Sequence, residues 1–216
     1  MKSKLTVASL FKSLQGEGIH QGLPCTFLRL AGCNLSCSYC DTDWARRGGS
    51  EIAVAAILES IRTEQCQLIN LTGGEPLLQE ACLELMDSLI EEEREVLLET
   101  NGSISLEPVP RGVRIIMDIK CPDSQMADTL DKENLKRLRK GDEVKFVLSS
   151  REDYEFAKDF ISRESLKEDV FVLLSPVWQE LSPATLAEWM LEDNLDRARL
   201  NLQLHKVIWK DDEREH

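Results

Sequence analysis

Along most of this chain, short apolar runs alternate with longer amphipathic ones, and that alternation limits the fold more than any other feature. "PCTFLRLAG" (24–32) reads as a strand, "IAVAAILESIRT" (52–63) as a helix by its periodic Ile, Val and Leu positions, and "CQLINLTGG" (66–74) as a strand. "LLQEACLELMDSLIEEE" (77–93) reads as a helix, and "EVLLETNG" (95–102) as a strand ending in the turn pair Asn101-Gly102. The rhythm continues with a strand at 113–120, a helix at 132–141 closed by Gly141, a strand at 142–150, a helix at 151–163 and a strand at 169–176. Ser182, with Pro183 at the first helical position, opens a helix through "SPATLAEWMLEDN", and "NLQLHKVIW" (201–209) reads as a final strand. Strands alternating with helices imply an α/β fold with a parallel sheet covered by helices. About six such units are too few for a closed eight-stranded barrel, which typically needs ~250 residues. A partial (β/α)6, TIM-like barrel or an open sheet remains.

Residues of distinctive chemistry fall at the C-terminal ends of these expected strands. They are Gly32 and Cys33, the run from Thr72 to Pro76, the run from Glu99 to Gly102, Asp118 with Lys120, and Ser175-Pro176. Parallel α/β folds build their sites at that edge, so five clusters are expected to converge on one mouth.

Composition sets the class of partner. The formal charge of −13, from 39 acidic against 26 basic residues, repels phosphate backbones, and no basic patch compensates beyond the two arginines of "ARRGG". Direct nucleic-acid binding is therefore disfavoured. No run of about 18 uncharged apolar residues occurs, which argues against a membrane span and places the chain in the cytoplasm. Residues 1–216 read as one domain, with "IEEERE" a solvated helix end and residues 210–216 a loose acidic tail. Seven cysteines, an odd number without an export signal, fit reduced thiols better than a disulfide framework.

Three of the seven lie within "AGCNLSCSYCDT" (31–42) as Cys33, Cys37 and Cys40, in a loop that can curl them toward one centre. A structural zinc takes four ligands and would need a fourth from Cys25, Cys66 or a distant His. Cys25 and Cys66 sit in apolar strand-like runs, where a free cysteine behaves as a small hydrophobe, as do Cys82 and Cys121. A [4Fe–4S] cluster usually takes four thiolates, so three leave one iron open to a cofactor. "NLTGGEP" (70–76) supplies adjacent glycines that let backbone approach a ligand, and "MDIKCP" (117–122) pairs Asp118 with Lys120 at a strand end.

The Cys33, Cys37, Cys40 spacing resembles the signature of the radical S-adenosylmethionine (radical SAM) superfamily. The stretch "SLQGEGIHQGLPCTFLRLAGCNLSCSYCDT" (13–42), with "LTGGEP", "ETNG", "DIKCPDSQM", "DEVKFVL" and "LQLHKVIW", is similar to the 7-carboxy-7-deazaguanine synthase family over nearly the whole chain. That resemblance implies a [4Fe–4S] cluster, S-adenosylmethionine and Mg²⁺. It also implies conversion of 6-carboxy-5,6,7,8-tetrahydropterin to 7-carboxy-7-deazaguanine with loss of ammonia, through hydrogen abstraction at C6 and ring contraction. This is a step toward queuosine and other deazapurines. Motif by motif it implies that Cys33, Cys37 and Cys40 ligate the cluster and that Thr42 binds Mg²⁺. The cofactor site falls to Tyr39, Cys40, Asp41, Gly74, Asp118, Ile119 and Lys120. Leu14, Gln15 and Gly16 would contact the pterin, Arg29 its carboxylate and Thr72 another polar atom. No catalytic side chain beyond cluster and cofactor is implied, and neither His20 nor His205 is given a proton-transfer role. A homodimer and an electron donor such as flavodoxin or ferredoxin complete the expectation.

Two departures from the family pattern stand out. In some relatives a C-terminal carboxylate reaches substrate, a contact not carried over to this chain, where the charged "KDDEREH" follows Trp209, and "DIK" (118–120) stands where some have "SPK". Two rivals share parts of the pattern. A glycyl-radical activating enzyme has the three-cysteine cluster but commonly "HN", where this chain has "DT" after the last cysteine. A zinc-stabilised binding module predicts bound zinc and no redox response.

Overall fold

The computed structural model describes residues 3–164 and 166–209. The chain opens with β1 (Lys4–Leu14) and β2 (Pro24–Leu30), paired antiparallel, and β3 (Ser50–Ala53) lies antiparallel on the other edge of β1 before running into α1 (Val54–Glu64). Then follow β4 (Leu68–Gly73), α2 (Ala81–Glu91), β5 (Glu95–Thr100), β6 (Val113–Ile119), α3 (Glu133–Arg137) and β7 (Glu143–Leu148). The last elements are α4 (Arg151–Arg163), β8 (Phe171–Pro176), α5 (Pro183–Glu192), β9 (Ala198–Leu200) and α6 (Leu204–Ile208). One nine-stranded sheet takes the order β3-β1-β2-β4-β5-β6-β7-β8-β9, and every neighbouring pair from β2 to β9 is parallel. Among the described residues no helix is long and apolar enough to cross a membrane.

The sheet is open in its pairing yet curled in space. β1 and β7 stand five strand spacings apart, roughly 24 Å in a flat sheet. Glu17, just past β1, nonetheless meets Lys145 of β7 at 2.7 Å. Only a sheet rolled into a partial barrel brings them together.

Period-2 alternation gives each strand an outer and an inner face. The outer face is apolar throughout: Leu28, Ile69, Leu71, Val96, Leu98, Ile115, Val144, Phe146 and Val172 are buried with Ile57, Ile61, Leu85 and Leu89 from α1 and α2. Each such side chain contributes about 1.5–3 kcal/mol by leaving water. The inner face changes character along the barrel. Toward the strand starts, Cys25, Phe27, Leu68, Leu97 and Ile116 form a second small core, with the Phe11 ring stacked on Phe27 at 5.1 Å. Toward the strand ends the same face carries Arg29, Thr72, Glu99 and Asp118, with Lys145 beside Asp118 in register.

Several expectations from the sequence are corrected here. Residues 201–209 do not form a strand: the last strand is β9, and residues 204–208 are helical, because Leu204 N–H donates to Gly16 O instead of a sheet neighbour. The helix expected at 132–141 is reduced to α3, and residues 101–112 cross from β5 to β6 without a helix. The antiparallel strands β1 and β3, at one end of the sheet, are additions to the expected pattern. The acidic tail at 210–216 lies outside the described residues.

Candidate active site

A cavity of about 500 Å³ opens where β2, β4, β5, β6 and β7 end. One wall is the cysteine loop. It leaves β2 and is fastened on one side to β4 and β5. Gly74 N–H donates to Leu30 O at 2.9 Å and Glu75 N–H to Gly32 O at 2.8 Å. The buried Glu75 carboxylate accepts from Thr100 Oγ1 and, at 2.7 Å, from Asn101 N–H. On the other side Ser38 N–H donates to Ser124 O at 3.2 Å, and Tyr39 OH donates to Val147 O at 3.0 Å. The loop is thus strung between the ends of β4–β5 and β6–β7.

All seven cysteines are free, and Cys33, Cys37 and Cys40 line the cavity half-buried. The other four are buried, as expected of apolar cysteines. Leu35 N–H at 3.4 Å and Asn101 Nδ2 at 3.8 Å point at Cys33 Sγ, donors suited to a ligating thiolate. Burial pushes the Cys37 thiol up, opposed by the Lys120 ammonium. Among the described residues no three His, Cys, Asp or Glu side chains gather around one point as a single metal ion requires. A cluster places each thiolate on a different iron, so the three thiols fit it better than a closed zinc tetrahedron.

The glycine pair has a different local reason from the expected one. A Cβ at Gly74 would lie 1.9 Å from Gly32 O, and one at Gly73, whose φ is +132°, 2.1 Å from Leu30 O. Both glycines let the end of β4 close on β2 and the cysteine loop, and through that contact they set the cavity wall.

The opposite half of the cavity is charged. Lys145 and Glu17 form a nearly buried ion pair, and Gln203 Nε2 donates to the other Glu17 oxygen at 2.9 Å. Burial pushes the Glu17 carboxyl up, but the Lys145 ammonium and the hydrogen bonds from Lys145 and Gln203 outweigh it and hold the pKa at about 2. Glu99 accepts from Asn70 Nδ2 at 2.7 Å and from Thr72 Oγ1 at 3.0 Å. Thr72 has therefore committed its proton and offers lone pairs to a ligand. The buried Gln15 takes Glu17 N–H on Oε1, while its Nε2 has no hydrogen-bond partner among the described residues. Asp118 pairs with Lys120 at 2.9 Å and keeps Oδ1 without a hydrogen-bond partner among them. His205 is driven down by burial, toward the neutral ring.

Of the residues singled out in the sequence, Gln15, Arg29, Thr72 and Gly74 line this cavity. So do the three cysteines with Tyr39, Asp41 and Thr42, and Asp118 with Lys120. Thr42 Oγ1 lies 3.8 Å from Cys40 Sγ and does not cap the turn that follows it. Arg29 sits 5.9 Å from the Trp44 ring centroid. Leu14, Gly16 and Ile119 are not on the wall. Ile119 points into the outer core, and Gly16 is where a Cβ would meet His205 at 2.2 Å. Sequence reasoning missed Glu17, Lys145 and Gln203, and gave Glu99 and His205 no role. A signal existed for Lys145, a lysine in the middle of an apolar strand.

Comparison with known proteins agrees with this geometry. The model of the radical SAM superfamily matches residues 28–150. The chain is 40% identical to a protein of Koribacter versatilis named 7-carboxy-7-deazaguanine synthase, covering 95% of this chain and 97% of that one. It is 38% identical to a protein of the same name from Clostridium acetobutylicum, over 96% and 97% of the two chains. The crystal structure of QueE from Escherichia coli superposes with a TM-score of 0.77 at 21% identity, covering 94% of this chain and 95% of that one.

Proposed function

The chain belongs to the 7-carboxy-7-deazaguanine synthase family of the radical SAM superfamily, and on that premise we propose that it converts 6-carboxy-5,6,7,8-tetrahydropterin to 7-carboxy-7-deazaguanine with release of ammonia. It is a radical SAM enzyme of 7-deazapurine biosynthesis, using a [4Fe–4S] cluster and S-adenosylmethionine. The single observation that carries the specific reading is a cavity with three free thiols on one wall and a set of unsatisfied or charged polar groups facing them.

When bound, the cluster and its cofactor supply the radical that abstracts hydrogen, chemistry no side chain provides. The residues of the chain hold and orient. Cys33, Cys37 and Cys40 ligate the cluster, and Asn101 donates to Cys33. Tyr39, Cys40, Asp41 and Gly74 shape the cofactor wall with Asp118 and Lys120, and Ile119 between them packs into the outer core. Arg29 meets the substrate carboxylate with its planar fork. Gln15 offers its free N–H donors to the heterocycle and Thr72 its hydroxyl lone pairs, while Leu14 and Gly16, off the cavity wall, act only by holding Gln15 between them. Glu99 and the Glu17–Lys145 pair present fixed charges to a polar bicyclic ring. Thr42 would offer its hydroxyl to Mg²⁺, an oxygen donor of the kind that ion takes. The enzyme works as a cytoplasmic homodimer and takes its electron from a small donor such as flavodoxin or ferredoxin.

Anaerobic reconstitution with iron and sulfide, then turnover of the carboxypterin, tests the assignment. Stoichiometric 7-carboxy-7-deazaguanine and ammonia are expected. Cofactor cleavage without either product would overturn it.

A further inference from the structure

Residues 15–23, between β1 and β2, do two things at once. Gln15 and Glu17 line the cavity, while His20 touches Glu95 and Glu143, the first residues of β5 and β7. Those are the strand ends remote from the cysteines. The loop therefore runs under the open sheet and forms the cavity floor.

Its own backbone closes it through Gln15 N–H to Leu23 O at 2.8 Å and Gly22 N–H to Gln15 O at 2.7 Å. Its attachment to the barrel is mostly by side chains. Gly18 N–H donates to Asn201 Oδ1 at 2.8 Å, and Ile19 N–H to Glu143 Oε2 at 3.2 Å. Gly18 has φ +75°, and a Cβ there would meet Glu143 Oε2 at 2.6 Å. The Glu143 side chain is fully buried, and its Oε1 has no hydrogen-bond partner among the described residues. A buried carboxylate needs a countercharge. The group facing it is His20 Nδ1 at 3.8 Å, an ion-pair distance, while Nε2 sits 3.0 Å from Glu95 Oε1.

We propose that His20 is a positioning residue for the pterin site: it latches the floor loop across β5 and β7 and so fixes Gln15 and Glu17 against the cavity. The kinetic consequence rests on the substrate reading above; the latch itself does not. A charged ring hydrogen-bonds Glu95 through Nε2 and sets positive charge at Nδ1 against Glu143 at ion-pair distance, whereas a neutral ring leaves the buried Glu143 without a countercharge. The ionisable groups facing it are Glu143 from β7 and Glu95 from β5. Glu143 foremost, and then Glu95, raise the ring's pKa against the desolvation that opposes them. With a raised folded-state pKa, the latch is complete below about pH 6.5 and is lost as pH climbs through the folded value.

The test follows Gly18 and Ile19 amide exchange, corrected for intrinsic rate, together with KM and kcat for the carboxypterin from about pH 6 to 9. In the unaltered enzyme, protection of both amides falls about tenfold as His20, followed by NMR, loses its proton, and KM rises about five- to tenfold with kcat within about twofold. His20→Gln keeps the high KM across the range and has a flat profile relative to wild type, which removes any contribution from substrate ionisation. Glu95→Gln alters the half-exposed partner, spares the buried core, and gives a smaller change of the same sign. Protection and KM that ignore the His20 titration, or a His20→Gln profile identical to wild type, would overturn the latch. Since exchange needs no substrate, protection that follows His20 in a protein without carboxypterin turnover upholds the latch and refutes the substrate reading.

Discussion

The cysteine loop at the mouth and residues 15–23 at the floor both flank β2, yet they are held by different physics. The mouth loop is half exposed and fastened mainly by neutral hydrogen bonds, Tyr39 OH to Val147 O and Ser38 N–H to Ser124 O among them, with one partly exposed ion pair from Asp41 to Lys206 at 3.6 Å and its thiols left free. The floor loop is held by ion pairs, two of them engaging the buried side chains of Glu143 and Lys145. Neutral anchoring leaves the mouth able to receive a cluster and a cofactor at modest reorganisation cost. Ionic anchoring ties the floor to buried charged side chains and places fixed charge at the base of the cavity, in a medium where charge interacts strongly. The two loops should therefore fail differently when altered.

The sharpest contrast is at the mouth. Cys37→Ala should reduce cluster occupancy and lower S-adenosylmethionine cleavage at least ~10³-fold, while the apo-protein's unfolding free energy changes by about 0.5 kcal/mol or less. Iron content and cleavage assays measure the first, urea titration the second. A large stability loss would erase the distinction drawn here. At the floor the expected loss is in stability. Lys145→Met leaves Glu17 buried without its countercharge and should cost about 3–5 kcal/mol in urea unfolding. The double variant with Glu17→Gln should recover much of that loss, since removing both charges is far milder than removing one. Activity should fall in both.

Acid separates the loops more gently. Because the Glu17 pKa is depressed to about 2, its pairing stabilises the fold above its ordinary value of 4.5, and the contribution fades as pH falls from there to about 2. Urea midpoints across that window should drop more steeply in wild type than in Glu17→Gln. An identical slope would mean the pair is broken in solution. The smallest effect belongs to Tyr39→Phe, which deletes one neutral bond to Val147 O and should cost about 0.5–1.5 kcal/mol.

The same contrast explains what the sequence discloses. Cys33, Cys37 and Cys40 announce themselves because their chemistry is rare and their spacing local. The outer faces of the strands are equally plain, since a run such as "RIIMDI" must be buried to be stable. The floor is another matter. Glu17 and Lys145 are 128 residues apart, and nothing local to either indicates a pairing that exists only once the sheet has rolled up. Residues 201–209 mislead for a related reason. Their alternation is real, but Asn201, Gln203 and His205 point their polar side toward Gly18, Glu17 and Gly16, so a period of two serves the site and not a strand. The amphipathic β1 offered only Leu5 and Val7 as deeply buried apolar positions.

At the centre of this account stands a cluster held by three cysteines with one iron free for the cofactor. Electron paramagnetic resonance of anaerobically reconstituted, dithionite-reduced protein, recorded with and without S-adenosylmethionine, tests it directly. The prediction is a [4Fe–4S]⁺ signal whose g-values shift when the cofactor is added and which is absent from Cys37→Ala. A signal indifferent to the cofactor, or a protein that takes up zinc and no iron under these conditions, would contradict it.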